Sequence, residues 1–185
     1  MRQIQIGDIT ITSIIERDGP WRRPEDFFLN YDPVKGLATL KEEEPEVFDF
    51  ESGRMVITYQ TFVVRTPKHT ILIDTCTGDH KGYPAPMDFP KQPWLDGFRA
   101  AGLKFADIDY VFCTHLHIDH CGWNTVRDAA GELRPTFPNA RYFIQKGEFE
   151  VASHPNERTR GTYFAENFQP PGPARLGEAR AHRGK

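Results

Sequence analysis

Three histidines and one aspartate lie within six consecutive positions of the chain. They are His115, His117, Asp119 and His120, and they include three of the chain's seven histidines. Neutral imidazole and carboxylate groups are the usual protein ligands of zinc and of similar divalent metals. Alternate residues of an extended segment share one face, so His115 and His117 can reach one ion together. The spacing therefore predicts a metal site.

The elements that must position these residues can be predicted from the flanking sequence. The apolar run 108–113 predicts a strand that ends where the histidines begin, and Gly122 permits a sharp turn after them. That turn lets Asp119 and His120 face a second point nearby. Upstream, the alternating residues 3–15 predict a hairpin, the β-branched and aromatic run 55–66 predicts a strand, and residues 70–74 predict a strand buried on both faces. Trp94 and Phe98 have helical spacing, and Gly102 stands where the C-terminal cap of that helix belongs. Strand, helix and strand in this order indicate an α/β unit whose ligands gather at the carboxyl ends of its strands.

The pattern His-x-His-x-Asp-His after a hydrophobic strand resembles the metallo-β-lactamase superfamily of metal-dependent hydrolases. The similarity extends to residues 71–76, because an earlier strand of that family also ends in an aspartate beneath the metal loop, here Asp74. Residues 122–125 and 135–140 look like the lactonase-like branch. Similar segments run from about residue 4 to about residue 169. The resemblance implies the N-terminal half of an αββα sandwich, with 1–169 as a partial domain.

The resemblance also implies the roles of the site residues. His115 and His117 would hold the first of two divalent metal ions, for which zinc is the expected metal, and Asp119 and His120 would help to hold the second. The ions would lower the pKa of a bound water, and the resulting hydroxide would attack a small ester-like substrate, with a lactone as the best guess. Asp119 would orient that water as the catalytic residue, whereas the residues that bind substrate are unknown.

Three side chains carry alternatives that the sequence leaves open. Asp74 is either a residue that positions the metal loop or the cap of the turn that follows its strand. Cys121 is either a soft metal ligand or a buried thiol, and its place one position beyond the motif favours the thiol. His154 ends a predicted helix, which favours a surface residue over a metal ligand.

Other functions fit the same motif. A thioesterase of the glyoxalase II type shares it. Flavodiiron-type oxidoreductases instead carry Glu where this chain has His117. A third alternative is an inactive fragment that folds only by association, since half a sandwich would leave an apolar sheet face in water. That exposure also makes a homo-oligomer an alternative to a monomer.

Composition restricts the partners and the compartment. The chain has 185 residues, 38% of them hydrophobic, and no apolar stretch long enough to span a bilayer. Three cysteines without CxxC spacing argue against a disulfide framework. A net charge of −3 argues against nucleic-acid binding. With no signal-peptide pattern at the N-terminus, we expect a cytoplasmic protein that binds a small-molecule substrate and neither nucleic acid nor membrane.

Two further segments have a distinctive composition. Residues 17–54 contain several aromatics, which favour packing under a long loop over substrate contact, and the acidic run 42–46, which favours a solvated loop or helix face. Residues 170–185 contain no aromatic, no β-branched residue and a single Leu. This composition predicts a disordered tail, because it buries too little apolar surface to offset the entropy of ordering.

The tail leads to the first testable hypothesis. The family's later ligands include a His in a Thr-Pro-Gly-His-like segment, and after His120 this chain has only His154 and His182. We expect that a truncation or a frameshift near Gln169 and Pro170 explains why this chain lacks the Thr-Pro-Gly-His-like segment. Translating the downstream DNA in its other two frames should reveal the Thr-Pro-Gly-His-like segment, and its absence from every frame would exclude the frameshift.

Overall fold

The computed structural model describes residues 2–79, 81–83, 87–154, 156, 165–168 and 176–178. Residues 176–178 are described by their backbone alone. The chain divides into two compact units. The larger unit comprises Met1–Glu16 and Gln60–Lys185, and the smaller unit comprises Arg17–Tyr59. The smaller unit therefore lies inside the span 1–169 that the sequence predicts as one partial domain.

Twelve strands and five α-helices make up the described chain. The strands are β1 (Gln3–Ile6), β2 (Ile9–Arg17), β3 (Pro20–Arg22), β4 (Phe48–Asp49), β5 (Arg54–Val56), β6 (Tyr59–Arg65), β7 (Thr70–Ile73), β8 (Tyr110–Cys113), β9 (Thr125–Arg127), β10 (Leu133–Pro135), β11 (Arg141–Ile144) and β12 (Leu176–Glu178). The α-helices are α1 (Pro33–Glu43), α2 (Gln92–Ala100), α3 (Ile118–Cys121), α4 (Lys146–Ser153) and α5 (Ala165–Phe168). Short 3₁₀ helices lie at Pro24–Asp26, Pro45–Val47, Phe105–Asp107 and Gly122–Asn124.

The larger unit is built on a seven-stranded sheet with the order β1-β2-β6-β7-β8-β11-β12. β1 and β2 form an antiparallel hairpin, and β6 is antiparallel to β7. From β7 onward the neighbours β8, β11 and β12 run parallel. The strand–helix–strand unit expected from the sequence is β7–α2–β8. The α/β class and the metal motif's place at the carboxyl end of a strand are confirmed.

α2 covers one face of this sheet through aromatic packing. Trp94 and Phe98 are fully or almost fully buried and stack at a ring-centroid distance of 5.0 Å. Trp94 also stacks on Trp123, which follows the metal motif, at 4.7 Å. Gly102, with a φ of 70°, ends the helix in the left-handed conformation that glycine adopts without strain. The sequence pattern predicted both this buried helix face and its cap.

One predicted strand is in fact two. The β-branched and aromatic run 55–66 was expected to form a single strand, but β5 and β6 belong to different sheets. Between them, the Ile57 amide donates to the Gly19 carbonyl at 3.0 Å, and the Thr58 hydroxyl donates to Asp18 at 2.6 Å. Hydrogen bonds to the Asp18–Gly19 turn thus replace ladder pairing at this point, which propensity alone does not show.

The two faces of the large sheet differ in exposure. On the face towards α2, Val63, Leu72 and Val111 are fully buried. On the other face, the register places Phe62, Ile73, Phe112 and Phe143 side by side across β6, β7, β8 and β11. Phe62 is 38% exposed and Phe112 is 44% exposed. The expectation that residues 70–74 are buried on both faces is therefore wrong, since Ile71 and Ile73 are partly exposed.

The apolar face continues to the edge of the sheet. The β1–β2 register pairs Ile4 with Ile11 and Ile6 with Ile9, so these side chains share one face. Ile4 is 58% exposed and Ile6 is 62% exposed. A contiguous apolar surface of this extent is uncommon on a monomeric soluble protein. It is the face that a second layer would cover in a sandwich, as the sequence analysis anticipated.

The smaller unit has its own three-stranded sheet, with the order β3-β5-β4, beside α1. Asp32 caps α1 by accepting from the amides of Val34 and Lys35. The acidic run 42–46 is exposed, as its composition predicts. A cavity of about 440 Å³ within this unit is lined in part by Tyr31 and Phe48. This is consistent with aromatics that pack beneath a long loop.

Little of the predicted tail lies within the described residues. Of positions 170–185, the structure describes 176–178, which form β12 and pair parallel with β11. The composition predicts disorder here, and these three residues instead take up backbone pairing. Strand pairing uses N–H and C=O groups and requires no particular side chain. The remainder of the tail, with His182, lies outside the described residues.

The parts of the chain that the structure describes contain no helix with the length and apolarity that crossing a bilayer requires.

The exposed sheet face generates a prediction about association. Replacing Phe112 by Gln should reduce binding of the dye ANS and reduce the apparent mass in light scattering, because Phe112 is part of the exposed apolar face. Val111→Gln is the matched control on the same strand, and it should unfold the protein because Val111 is fully buried. Unchanged dye binding and mass in folded Phe112→Gln would contradict the proposed role of this face.

Candidate metal centre

The site begins where two parallel strands end side by side. β7 and β8 are paired up to Ile73 and Phe112, so Asp74 and Thr114 emerge at the same edge of the sheet. The Asp74 carboxylate accepts from the Thr114 amide at 2.8 Å and from the Thr114 hydroxyl at 2.7 Å. Asp74 has a φ of 55°, which is uncommon for a residue other than glycine. The contacts of Asp74 give a reason for this strained conformation.

Asp74 also contacts the last histidine of the motif. His120 Nδ1 lies 2.8 Å from Asp74 Oδ2, and His120 Nε2 lies 3.5 Å from Asp119 Oδ2. A carboxylate that accepts from one ring nitrogen fixes the tautomer and directs the other nitrogen outward. The carboxylate of Asp74 thus holds Thr114 and His120, at the two ends of the motif. These contacts favour a positioning role for Asp74, which stays a prediction.

The other imidazoles lie beside His120. The rings of His115 and His117 have centroids 4.7 Å apart, and those of His115 and His120 are 3.8 Å apart. His117 is in an extended conformation immediately before α3, so the chain turns between His117 and Asp119. The structure therefore brings together the four residues that the sequence spacing selected.

The electrostatics of the cluster follow from burial and from its mixed charges. Burial lowers the pKa of His115, and the neighbouring His120 and His117 lower it further. Burial opposes the charged form of His120, but hydrogen bonds and charge from Asp119 and Asp74 outweigh it and raise its pKa to about 9. Burial acts to raise the pKa of Asp119, but His120 outweighs it and the pKa is lowered. The ring of His120 therefore has to lose a proton before it can bind a metal ion.

The residues fit a divalent ion in donor type, but not in number. Imidazole and carboxylate donors are the appropriate ligands, and the structure brings the side chains of His115, His117, Asp119 and His120 together. Within the described ranges, however, no group of three or more His, Cys, Asp or Glu side chains is arranged to hold a metal ion. A catalytic zinc commonly takes about three protein ligands. The described residues thus supply suitable donors but not a full ligand shell.

Backbone contacts attach the metal motif to the loop after β7. The Thr75 amide donates to the His120 carbonyl at 2.8 Å, and the Gly122 amide donates to the Cys76 carbonyl at 2.7 Å. The approach is so close that a Cβ at Gly122 would lie 1.9 Å from the backbone of Thr77. We call residues 75–78 and 120–123 the loop clasp. The clasp thus holds the backbone of His120, in addition to the contacts that hold its ring.

Other histidines and cysteines lie apart from the cluster or have different partners. His154 is exposed at the end of α4, as predicted, with Nδ1 3.0 Å from the Glu150 carbonyl. Cys121 is fully buried, and its thiol donates to the carbonyls of Leu116 and His117, which confirms the buried-thiol interpretation. His80 lies outside the described residues.

Three polar side chains around the motif were not identified from the sequence. Glu148 on α4 accepts from the Leu116 amide at 2.9 Å, and Lys81 donates to the hydroxyl of Thr125. Burial lowers the pKa of Lys81 to about 8. Glu16 on β2 is buried beneath the loop clasp. Each is distant from the motif in sequence, so no local spacing could have revealed it.

The loop clasp yields a stability prediction. Gly122→Ala should lower the free energy of unfolding by about 1–3 kcal/mol, because its Cβ would overlap backbone atoms that cannot move independently. Gly147→Ala is the control, since its Cβ would meet the flexible end of Gln145 at 3.1 Å. That change should be neutral or stabilising by up to about 1 kcal/mol. Chemical denaturation measures both, and equal effects would contradict the steric explanation.

Comparison with known proteins supports a single family. Residues 56–132 match the family model described as the metallo-beta-lactamase superfamily. The N-acyl homoserine lactonase AttM of Agrobacterium fabrum is 37% identical over 81 residues, which are 44% of this chain and 27% of that protein. A similar segment of AttM from Azorhizobium caulinodans is 38% identical over 74 residues, or 40% of this chain and 24% of that protein. The chain thus spans about a quarter of the length of these relatives.

Solved structures share the fold. A probable metal-dependent hydrolase from Staphylococcus aureus superposes with a TM-score of 0.73 at 23% identity, over 95% of this chain and 60% of that one. AidC, described as a dizinc quorum-quenching lactonase, superposes with a TM-score of 0.63 at 22% identity, over 87% of this chain and 54% of its own. At these identities the likeness shows the fold alone, and the sequence matches cover less than half of this chain. Residues 56–132 of this chain are therefore similar to the metallo-beta-lactamase superfamily, and the relatives that match this part of the chain are named N-acyl homoserine lactonases.

Proposed function

We propose that the chain belongs to a metal-dependent hydrolase that opens a small ester-like substrate, with a lactone as the favoured class. The observation that carries this proposal is the placement of His120 between Asp74 and Asp119, with His115 and His117 beside it. Such an arrangement orients an imidazole for a metal ion. The similarity to proteins named N-acyl homoserine lactonases favours a lactone.

The proposed ligands are the two pairs already described. His115 and His117 would hold one divalent ion, Asp119 and His120 would help to hold a second, and zinc is the favoured metal. When bound, such ions supply a nucleophilic water at neutral pH and stabilise negative charge that develops on a carbonyl oxygen. Each pair needs further ligands for a full shell.

The chain's own residues have three tasks in this proposal. Asp74 orients His120 through Nδ1 and anchors the start of the motif through Thr114. Asp119 can accept a hydrogen bond from a water molecule and so orient it towards the substrate. Glu148 holds the extended part of the motif by accepting from the Leu116 amide between the two first histidines. The cluster is thus supported from β7, from α4 and from the loop clasp.

A thioesterase is the alternative within the same chemistry. A thioester carbonyl accepts the same nucleophile, and the motif does not distinguish the two substrates. The similarity to AttM favours the lactone. Comparing hydrolysis of an N-acyl homoserine lactone with hydrolysis of a glutathione thioester separates these alternatives.

A second candidate of a different class is a catalytically inactive chain that folds by association. The observation that favours it is the apolar sheet face from β1 to β11, where Phe62 and Phe112 are 38% and 44% exposed. The described residues contain no group of three or more side chains that could hold a metal ion, which also agrees with this candidate. The metal content of the purified protein discriminates between the two. About two ions per chain indicate a working site, and near zero indicates the associating chain.

The ligand assignment can be tested by replacing a histidine of the motif and, as a control, a histidine outside it. His117→Ala should abolish lactone hydrolysis and lower the metal content, because it removes one ligand of a two-ligand pair. Asp74→Asn should lower metal affinity by about 10–100-fold, the usual effect of removing a carboxylate that orients a ligand histidine. His154→Ala is the control and should change neither quantity. Elemental analysis and a pH-stat assay provide the measurements, and equal metal content in His117→Ala and wild type would refute the assignment.

A further inference from the structure

Glu16 is a buried carboxylate that no part of the proposed chemistry uses. It lies on β2, about one hundred residues before the metal motif in sequence, and only 3% of its surface is exposed. An ionised carboxylate without partners would be very costly at such a position. Its surroundings therefore indicate why the residue is there.

Four donors surround the two oxygens of Glu16. Oε2 accepts from the Thr77 amide at 2.9 Å and from the Thr77 hydroxyl at 2.6 Å. Oε1 accepts from the Gly78 amide at 3.2 Å and from the Trp123 indole N–H at 2.9 Å. A carboxylate has about four sites for accepting hydrogen bonds, so these donors match its full capacity. Burial raises the pKa of Glu16, while the hydrogen bonds from Thr77 and Trp123 and the charge of Lys91 oppose the rise.

The donors come from both halves of the loop clasp. Thr77 and Gly78 belong to the segment after β7, and Trp123 belongs to the segment after the metal motif. The two halves also contact each other directly, since the Trp123 amide donates to the Thr75 carbonyl at 2.9 Å and the Thr75 amide donates to the His120 carbonyl at 2.8 Å. Glu16 thus binds both halves of the loop clasp.

We propose that Glu16 is a positioning residue of the candidate metal centre, because it holds together the two loops that carry Asp74 and His120. The proposal rests on the proposed function for its purpose, although the positioning itself is a property of the chain without metal. Loss of the carboxylate should loosen residues 75–78 and 120–123 together. The contact between Asp74 and His120 should loosen with them.

The test is nuclear magnetic resonance on the full chain without metal. Glu16→Gln keeps the shape but replaces one acceptor oxygen with an NH₂ group, which must face N–H or O–H donors. The amides of Thr77 and Gly78 should then exchange with solvent at least about tenfold faster, as expected for loss of a buried hydrogen bond. The ring ¹⁵N shifts of His120 should move towards the values of an imidazole that lacks a fixed partner at Nδ1.

Matched variants separate positioning from general stability. Ser13 lies on β2, like Glu16, and its hydroxyl donates to Gln60 at 2.8 Å. Ser13→Ala removes this hydrogen bond and should leave the His120 signals and the exchange of the Thr77 and Gly78 amides unchanged. Thr77→Val removes one of the four donors and should produce part of the effect. Thr77→Ser retains the hydroxyl donor and should behave like the wild type. If Glu16→Gln does not fold, Thr77→Val and Trp123→Phe provide the same measurement with milder changes.

The outcomes decide the proposal independently of catalysis. Faster exchange at Thr77 and Gly78 together with shifted His120 signals supports it, even if the chain hydrolyses no substrate. Unchanged His120 signals in a folded variant that has lost the Glu16 contacts would overturn it, even if the chain proves to be an active hydrolase.

Discussion

The hydrogen bond between Asp74 and His120 joins the two parts of the chain on which the candidate site depends. Asp74 follows β7 directly, and His120 ends a motif that follows β8. The two residues meet because these strands are parallel neighbours in the sheet. Asp74 adopts a positive φ to make this contact, and the loop clasp holds the backbone of both segments. Strain of this kind persists where the surrounding structure over-determines it.

The metal motif is held by several contacts, whereas one face of the sheet that carries it is exposed. The cluster is held from β7, from α4 through Glu148, and from β2 through Glu16. The same sheet exposes an apolar face, and the described donors do not form a full ligand shell. Both features belong to one geometry, because in a sandwich the second layer covers the free sheet face. The solved structures of this fold, which extend well beyond the length matched here, agree with that interpretation.

The predictions succeeded where the cause is local. The hairpin of β1 and β2, the buried face and glycine cap of α2, and the strand that leads to the motif each depend on residues a few positions apart. The run 55–66 shows where local reasoning failed. Its propensity is uniform, but hydrogen bonds to Asp18 and Gly19 divide it between two sheets. Residues 176–178 show the same limit, since composition does not anticipate pairing with the edge of β11.

The sequence by itself selected the residues of the candidate site, because imidazoles and a carboxylate at alternate and adjacent positions after a strand have few other uses. It thereby selected His115, His117, Asp119 and His120 as candidate ligands and indicated the family that they resemble. Only the tertiary structure decided what holds these residues in place. Glu16 and Glu148 reach the motif or its loops from 107 and 32 positions away in the chain. For Asp74 the sequence left two roles open, and the structure shows its contact with His120, 46 positions away. Contacts over such separations depend on strand order and register, which no spacing within the sequence encodes.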